Sequence, residues 1–210
     1  MTKATLKGLN IGGWLILEKW MTPAVFNGTD AIDEYTLTQT KEGRAAIKAH
    51  HKSFIQESDF KWLKEHEIEV IRIPVGYWLF ESDENLVPHV KYLDWAMDMA
   101  KKYDIQVLID LHGLKGSQNG RDHSGKSGKS EWFNVKAYRD ESIEVLEKIA
   151  RRYANHPSGR KYDENGNVHE QAKDWKDSEK AQSAAIFFEY LGKAKENELY
   201  QKLKALHTTK

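Results

Sequence analysis

The stretch Val107-Leu108-Ile109-Asp110-Leu111-His112-Gly113, followed by Ser117-Gln118-Asn119-Gly120, decides the fold. Its branched apolar run reads as a buried strand, and it ends in a histidine with a loop of glycine and hydrogen-bonding side chains behind it. Working residues held where parallel strands end and loops begin are the mark of a (β/α) barrel. Outward from there, Glu69-Val70-Ile71-Arg72-Ile73-Pro74-Val75 reads as a second buried strand. Pro74 is tolerable only near its end, because proline brings no N–H to a ladder. A first strand is expected from Leu6 to Trp14, with Gly12-Gly13 marking a bend or a close approach, and the third from Gln106 to Leu111.

Helical spacing fills the intervals. Phe60 and Leu63, with Trp62 nearby, predict a helix within Glu57–His66; Leu93, Ala96, Met97 and Ala100 share one face over His89–Tyr103. Ile143, Leu146, Ile149 and Ala150 do the same over Val135–Ala154. Residues from Glu18 to about His51, with Pro23, Gly28 and Gly43, read as a long irregular stretch that is functional or carries short helices. Strands alternating with helices call for a parallel sheet with right-handed crossovers. The expectation is an α/β fold, the first three βα units of a partial TIM (β/α)8 barrel, with a helical C-terminal segment.

The chain has 210 residues, enough for one core or one core with an appended segment. Lys plus Arg and Asp plus Glu are both 32, so the formal net charge is zero and bulk electrostatics hold it to neither nucleic acid nor an anionic membrane. With no cysteine, disulfides and thiolate chemistry are excluded. The first residues lack the apolar core of a signal peptide, and no apolar run reaches the ~20 residues needed to span a bilayer, so a cytoplasmic location is expected. Seven tryptophans suit a carbohydrate face, since aromatic rings offer flat apolar platforms with a polar edge. At Pro157 the character changes. Ser158–Asp177 is polar and turn-rich, and Ser178–His207 has helical spacing, which divides the chain into residues 1–157 and 158–210.

Four motifs stand in fixed order: Gly8-Leu9-Asn10-Ile11-Gly12-Gly13-Trp14 with Glu18; Arg72-Ile73-Pro74-Val75-Gly76-Tyr77-Trp78; Asp110-Leu111-His112-Gly113; and Ser117-Gln118-Asn119-Gly120 through Asp122 and Gly125. Together they resemble glycoside hydrolase family 5, in its exo-1,3-β-glucanase branch, over the N-terminal half of that family. Tyr153-Ala154-Asn155-His156-Pro157 resembles the close of the family's third helix, and the resemblance stops there. It implies a β-glucoside or oligosaccharide as partner and assigns roles by position. Glu18 would bind hydroxyls of the terminal glucose, with Trp20 near that subsite. Arg72 would lie beneath a nucleophilic carboxylate, and His112 would hydrogen-bond sugar or carboxylate at the point of cleavage. The loop from Gln118 to Gly125, including Asn119 and Asp122, would shape the rim. Lys19 departs from the proline often found there. Independently of any family, an arginine inside an apolar strand is costly unless a carboxylate pairs with it, whether a nucleophile or another acid.

Retaining glycosidases need two carboxyl groups about 5–5.5 Å apart. In the resembled family one follows the fourth strand in Asn-Glu-Pro and the other ends the seventh strand. The chain contains no Asn-Glu-Pro; Asn197-Glu198 is followed by Leu199 on the expected last helix. The best fourth-strand candidate, Ala185–Leu191, is followed by Gly192-Lys193, and Glu189 reads as a surface carboxylate on a helix. No catalytic carboxylate is therefore assigned. The expectation is a glycosidase-like chain inactive alone, or a non-catalytic glucoside-binding remnant. No cofactor and no metal are expected, since the adjacent His50 and His51 do not share a helix face. A half-barrel exposes a sheet edge, to be covered by the terminal helix, a second copy of the chain or a partner. Gly120-Arg121-Asp122-His123-Ser124-Gly125-Lys126-Ser127 fits the phosphate-loop pattern, a remote alternative, because a true one follows its strand directly and opens into a helix.

Overall fold

The computed structural model describes residues 7–153 and 155–159. Three parallel strands lie side by side in chain order: β1 (Gly8–Asn10), β2 (Val70–Gly76) and β3 (Gln106–Gly113). Between β1 and β2 the chain forms α1 (Glu34–Thr38), α2 (Lys41–Ser53) and α3 (Glu57–Glu65). The helix α4 (Val90–Tyr103) joins β2 to β3, and α5 (Lys136–Tyr153) follows β3. The α/β order expected from the sequence is present as a three-stranded parallel sheet with its helices.

Strand periodicity sorts the side chains into two sets. Ile71, Ile73, Val75, Val107, Ile109 and Leu111 join Phe60, Leu63, Leu93 and Leu146 in the main core. Arg72, Pro74, Leu108 and Asp110 alternate with them and line a cleft on the other face. Burying each large apolar side chain stabilises the fold by about 1.5–3 kcal/mol. The ring of Phe60 on α3 meets Trp95 on α4 edge-on at 5.6 Å, which locks the two helices together.

Pro74 sits inside β2 without a penalty. Ile11 N–H donates to Arg72 O, so even-numbered residues of β2 face β1 with their backbone groups. The ladder between β1 and β2 has its last pair at Asn10 and Arg72, leaving no carbonyl opposite Pro74 for the missing N–H.

The first strand is shorter than the expected Leu6–Trp14. Beyond Asn10 the chain turns at Gly13 (φ +68°), and residues 11–17 are irregular yet all buried. Buried backbone must still find partners. Gly13 O accepts from His50 Nε2 (2.7 Å), Leu17 N–H donates to Glu34 Oε2 (2.9 Å), and Trp14 Nε1 donates to His51 O (2.9 Å).

The stretch expected to be irregular from Glu18 to His51 holds a 3₁₀ turn at Pro23–Phe26 and the helices α1 and α2. These gather Leu17, Phe26, Ala31, Leu37, Ile47 and Val87 into a second apolar cluster. Gly43 reads as a loop residue in sequence, but it lies in the first turn of α2 with its N–H capped by Thr40 Oγ1 (2.9 Å). A Cβ there would stand within 1.9 Å of Leu37 O, so the corner between α1 and α2 requires glycine.

The third strand runs two residues past the expected Leu111. Its register with β2 shifts between Val75 and Gly76, which pairs Gly76 with Gly113 and leaves His112 as the extra residue of a bulge. At the far edge of β3, Val107 N–H donates to Ser158 O (2.7 Å), and Val107 bridges Gly159 in parallel. Residues expected to begin a polar linker thus lie against the sheet. The expected helix over Ser178–His207, with Glu189 and Asn197-Glu198, lies outside the described residues. No helix among the described residues is long and apolar enough to cross a membrane.

Removing the ring that joins α3 to α4 tests this core. Phe60→Ala is expected to lower unfolding free energy by about 3–5 kcal/mol, measured by denaturant titration.

Candidate functional site

The cleft on the inner face of the sheet has a volume of about 540 Å³. Its floor is a polar cluster spanning all three strands. From β2, Arg72 Nη1 donates to Asn10 Oδ1 on β1 (2.7 Å), and Nη2 donates to Asp110 Oδ2 on β3 (2.5 Å). The Asp110 carboxylate also lies 2.9 Å from His112 Nδ1, and Arg72 Nη2 is 3.2 Å from the same nitrogen. A carboxylate can only accept and a guanidinium can only donate, so Asp110 draws a proton to Nδ1 while Arg72 presents one to it. The side chains of Asp110 and His112 are 8% exposed and that of Arg72 28%. Arg72 is therefore paired with a carboxylate, and among the described residues that acid is Asp110.

The wall comes from the segment after the buried turn. Glu18 and Trp20 line the cleft, with Trp20 Nε1 donating to Glu18 Oε2 (2.8 Å). Trp20 is 73% exposed, a large ring held out at the mouth. Lys19 turns the other way and donates to Ala31 O (2.7 Å). Opposite stands His123, whose ring meets His112 edge-on at 5.2 Å. Burial, and then the neighbouring His112, hold the His123 pKa below the ordinary histidine value. A group of this kind keeps its lone pair near neutrality.

Of the residues singled out in the sequence, Glu18, Trp20, Arg72 and His112 meet around the cleft, while Gln118, Asn119 and Asp122 do not line it. Gln118 braces the strand end, its Nε2 donating to His112 O (2.7 Å) and its Oε1 accepting from Leu114 N–H (3.3 Å). Asn119 bonds the cleft histidine His123. Asp122 opens the short 3₁₀ turn that ends at Ser124. Sequence reading missed Asn10, Asp110 and His123 as lining residues. Two-residue alternation carries the signal for Asp110, since it shares a strand face with Leu108. Nothing local marks His123, which is brought in by the loop.

The phosphate-loop pattern has none of that geometry. Gly113 ends the strand seven residues before Gly120, and α5 begins only at Lys136. Lys126 bonds Glu84 (2.6 Å) and lies 3.7 Å from the centre of the Tyr35 ring, so its ammonium is already engaged.

The fold is shared with part of solved structures of known proteins. The rutinosidase from Aspergillus niger superposes with a TM-score of 0.64 at 24% identity, over 73% of this chain and 46% of that one. In sequence, about 70% of the chain resembles the N-terminal region of glucan 1,3-beta-glucosidases. That of Pichia angusta is 38% identical over 155 residues, 70% of this chain and 36% of the relative. The probable glucan 1,3-beta-glucosidase A of Emericella nidulans is 38% identical over 156 residues, 70% of this chain and 38% of the relative. The chain spans little more than a third of the length of these curated relatives. Residues 148–210 match a different model, described as a domain of unknown function (DUF4385).

The pairing at the cleft floor can be measured. A double-mutant cycle of Arg72→Met and Asp110→Asn is expected to return a coupling of about 1–3 kcal/mol in denaturant unfolding, with each single variant less stable than the parent.

Proposed function

We propose that the cleft binds a β-glucoside or the end of a β-glucan oligosaccharide, and that the 210-residue chain by itself does not hydrolyse it. The observation that carries this reading is the set of groups presented to the cleft. Glu18 stands beside the exposed Trp20 ring, an acceptor for hydroxyls next to an apolar platform for a sugar face. His112, held by Asp110, lines the same cleft. Similarity to glucan 1,3-beta-glucosidases supports the sugar class.

The lack of turnover follows from the carboxyl groups. Among the described residues, those lining the cleft are Glu18 and Asp110. Asp110 Oδ2 is taken by Arg72 and by His112 Nδ1, and Glu18 Oε2 by the Trp20 indole. Retaining hydrolysis asks for one carboxylate free to attack and one carboxylic acid free to donate, on either side of the glycosidic oxygen. Each cleft carboxyl among the described residues already has one oxygen committed to a neighbouring side chain, and the sequence has no Asn-Glu-Pro.

We also infer that a second copy of the chain covers the open edge of the sheet. Residues 8–10 of β1 are all exposed, and an uncovered parallel edge invites pairing.

Purified protein is expected to release no aglycone from an aryl β-glucoside, while laminaribiose perturbs its NMR spectrum weakly and His112→Ala abolishes the perturbation. Hydrolysis that is lost on Glu18→Gln would instead reveal a working site. Light scattering in line with size exclusion is expected to give the mass of a dimer; a monomer would refute covering by a second copy.

A further inference from the structure

The wall of the cleft depends on a group that never touches it. Glu34 is fully buried at the first position of α1, and its Oε2 accepts the Leu17 N–H at 2.9 Å. Leu17 is the last residue of the buried irregular segment, and Glu18 follows it directly. Residues 12–17 have no ladder to fix their backbone, so side-chain bonds of this kind decide where the segment ends. We propose that Glu34 is a positioning residue for the cleft: by gripping the Leu17 amide it sets the place of Glu18 and Trp20, and its ionisation shifts them. This deepens the sugar-binding reading and rests on it only for the ligand.

The groups around Glu34 explain why its charge is unwelcome. Asp33 precedes it and is itself committed, its Oδ1 accepting from Thr36 N–H (2.7 Å) and its Oδ2 from Ser127 N–H (2.7 Å). The Trp78 indole faces the carboxyl and eases its charge, yet neither Glu34 Oε1 nor Trp78 Nε1 completes a hydrogen bond. Behind Trp78 stands His89, ring to ring at 6.0 Å, and behind that His51 at 5.6 Å. Burial holds both imidazoles below the ordinary histidine pKa, so they offer no positive charge near neutrality. Lys126 lies over Tyr35 and is spent on Glu84. Burial therefore dominates, and the carboxyl is pushed up to about 8. Once ionised, it has one oxygen without a donor beside the Asp33 carboxylate. Asp33 anchors the start of α1 through its capping box, so its repulsion of the ionised carboxyl is passed through the bond to Leu17 and into the irregular segment.

Linkage fixes the sign of the stability effect. The folded chain keeps a proton that the unfolded chain releases near 4.5, so this contribution falls as pH rises from there and is lost above about 8. His89, lowered to about 4 in the fold, acts the other way, and its contribution is complete once pH exceeds 6.5. Between those limits, from 6.5 to about 8, the Glu34 slope is unopposed by His89.

The test follows the Leu17 amide and the Trp20 indole N–H by ¹⁵N NMR across the alkaline range, without ligand. Both resonances are expected to move together with a midpoint near 8, and both movements should vanish in Glu34→Gln, which keeps an acceptor for Leu17 but cannot ionise. The affinity for laminaribiose should change about fivefold between about pH 6.5 and about pH 9.5 in the parent, and not at all in the variant. Stationary resonances in the parent, movement that persists in Glu34→Gln, or movement of Leu17 with Trp20 still would each overturn the proposal. Laminaribiose that binds with the same affinity at both pH values would do so as well. Should laminaribiose bind at no pH while the two resonances titrate as expected, the sugar reading fails and the positioning role of Glu34 stands.

Discussion

One guanidinium ties the sheet together on its open face. Arg72 reaches Asn10 on the first strand and Asp110 on the third, so a single side chain from the middle strand spans all three. The helix-facing side needs no such device, because its isoleucines and valines are held by packing. On the cleft face Arg72 stands beside Pro74 and Leu108, and an arginine there is tolerable only when its charge is matched. Matching it uses the acid that also fixes the ring of His112. Strand association and the orientation of the cleft histidine are thus satisfied by the same carboxylate.

The strands and the helices that pack on them were legible in the sequence because their apolar period is regular. Helices α3, α4 and α5 fall within a residue or two of their expected bounds, and the expected faces of α3 and α4 are buried. Three features were not legible. The first strand ends early because a pattern of buried apolar residues, 11–17, continues past the point where the backbone leaves the ladder. Burial and strand pairing then part company, and sequence period reports only burial. Helix α2 was hidden by Gly43, whose role is a close approach to Leu37 O rather than a turn. The bulge at His112 depends on the register of two strands, which no single stretch encodes.

Site residues divide in the same way. Glu18, Trp20, Arg72 and His112 meet although 94 positions separate the first from the last, because parallel strands bring their C-terminal ends to one side. Gln118 and Asn119 are polar loop residues in sequence, and the structure gives both to scaffolding: one holds the His112 carbonyl, the other the His123 ring. Glu34 carries no sequence sign at all. Only its depth beneath the turn separates it from an ordinary helix-start acid.

The apolar residues gather into clusters that differ in kind. The main one joins the sheet to α3, α4 and α5, while a smaller one is made of Leu17, Phe26, Ala31, Leu37, Ile47 and Val87 around α1 and α2. Trp14 links them, packed in the main core and bonded through its indole to the carbonyl of His51. Small units with few buried contacts are those that open below the global unfolding limit. The α1–α2 unit can thus detach as a local excursion that leaves the sheet intact, exposing its backbone to proteases and carrying the loop of Glu18 with it.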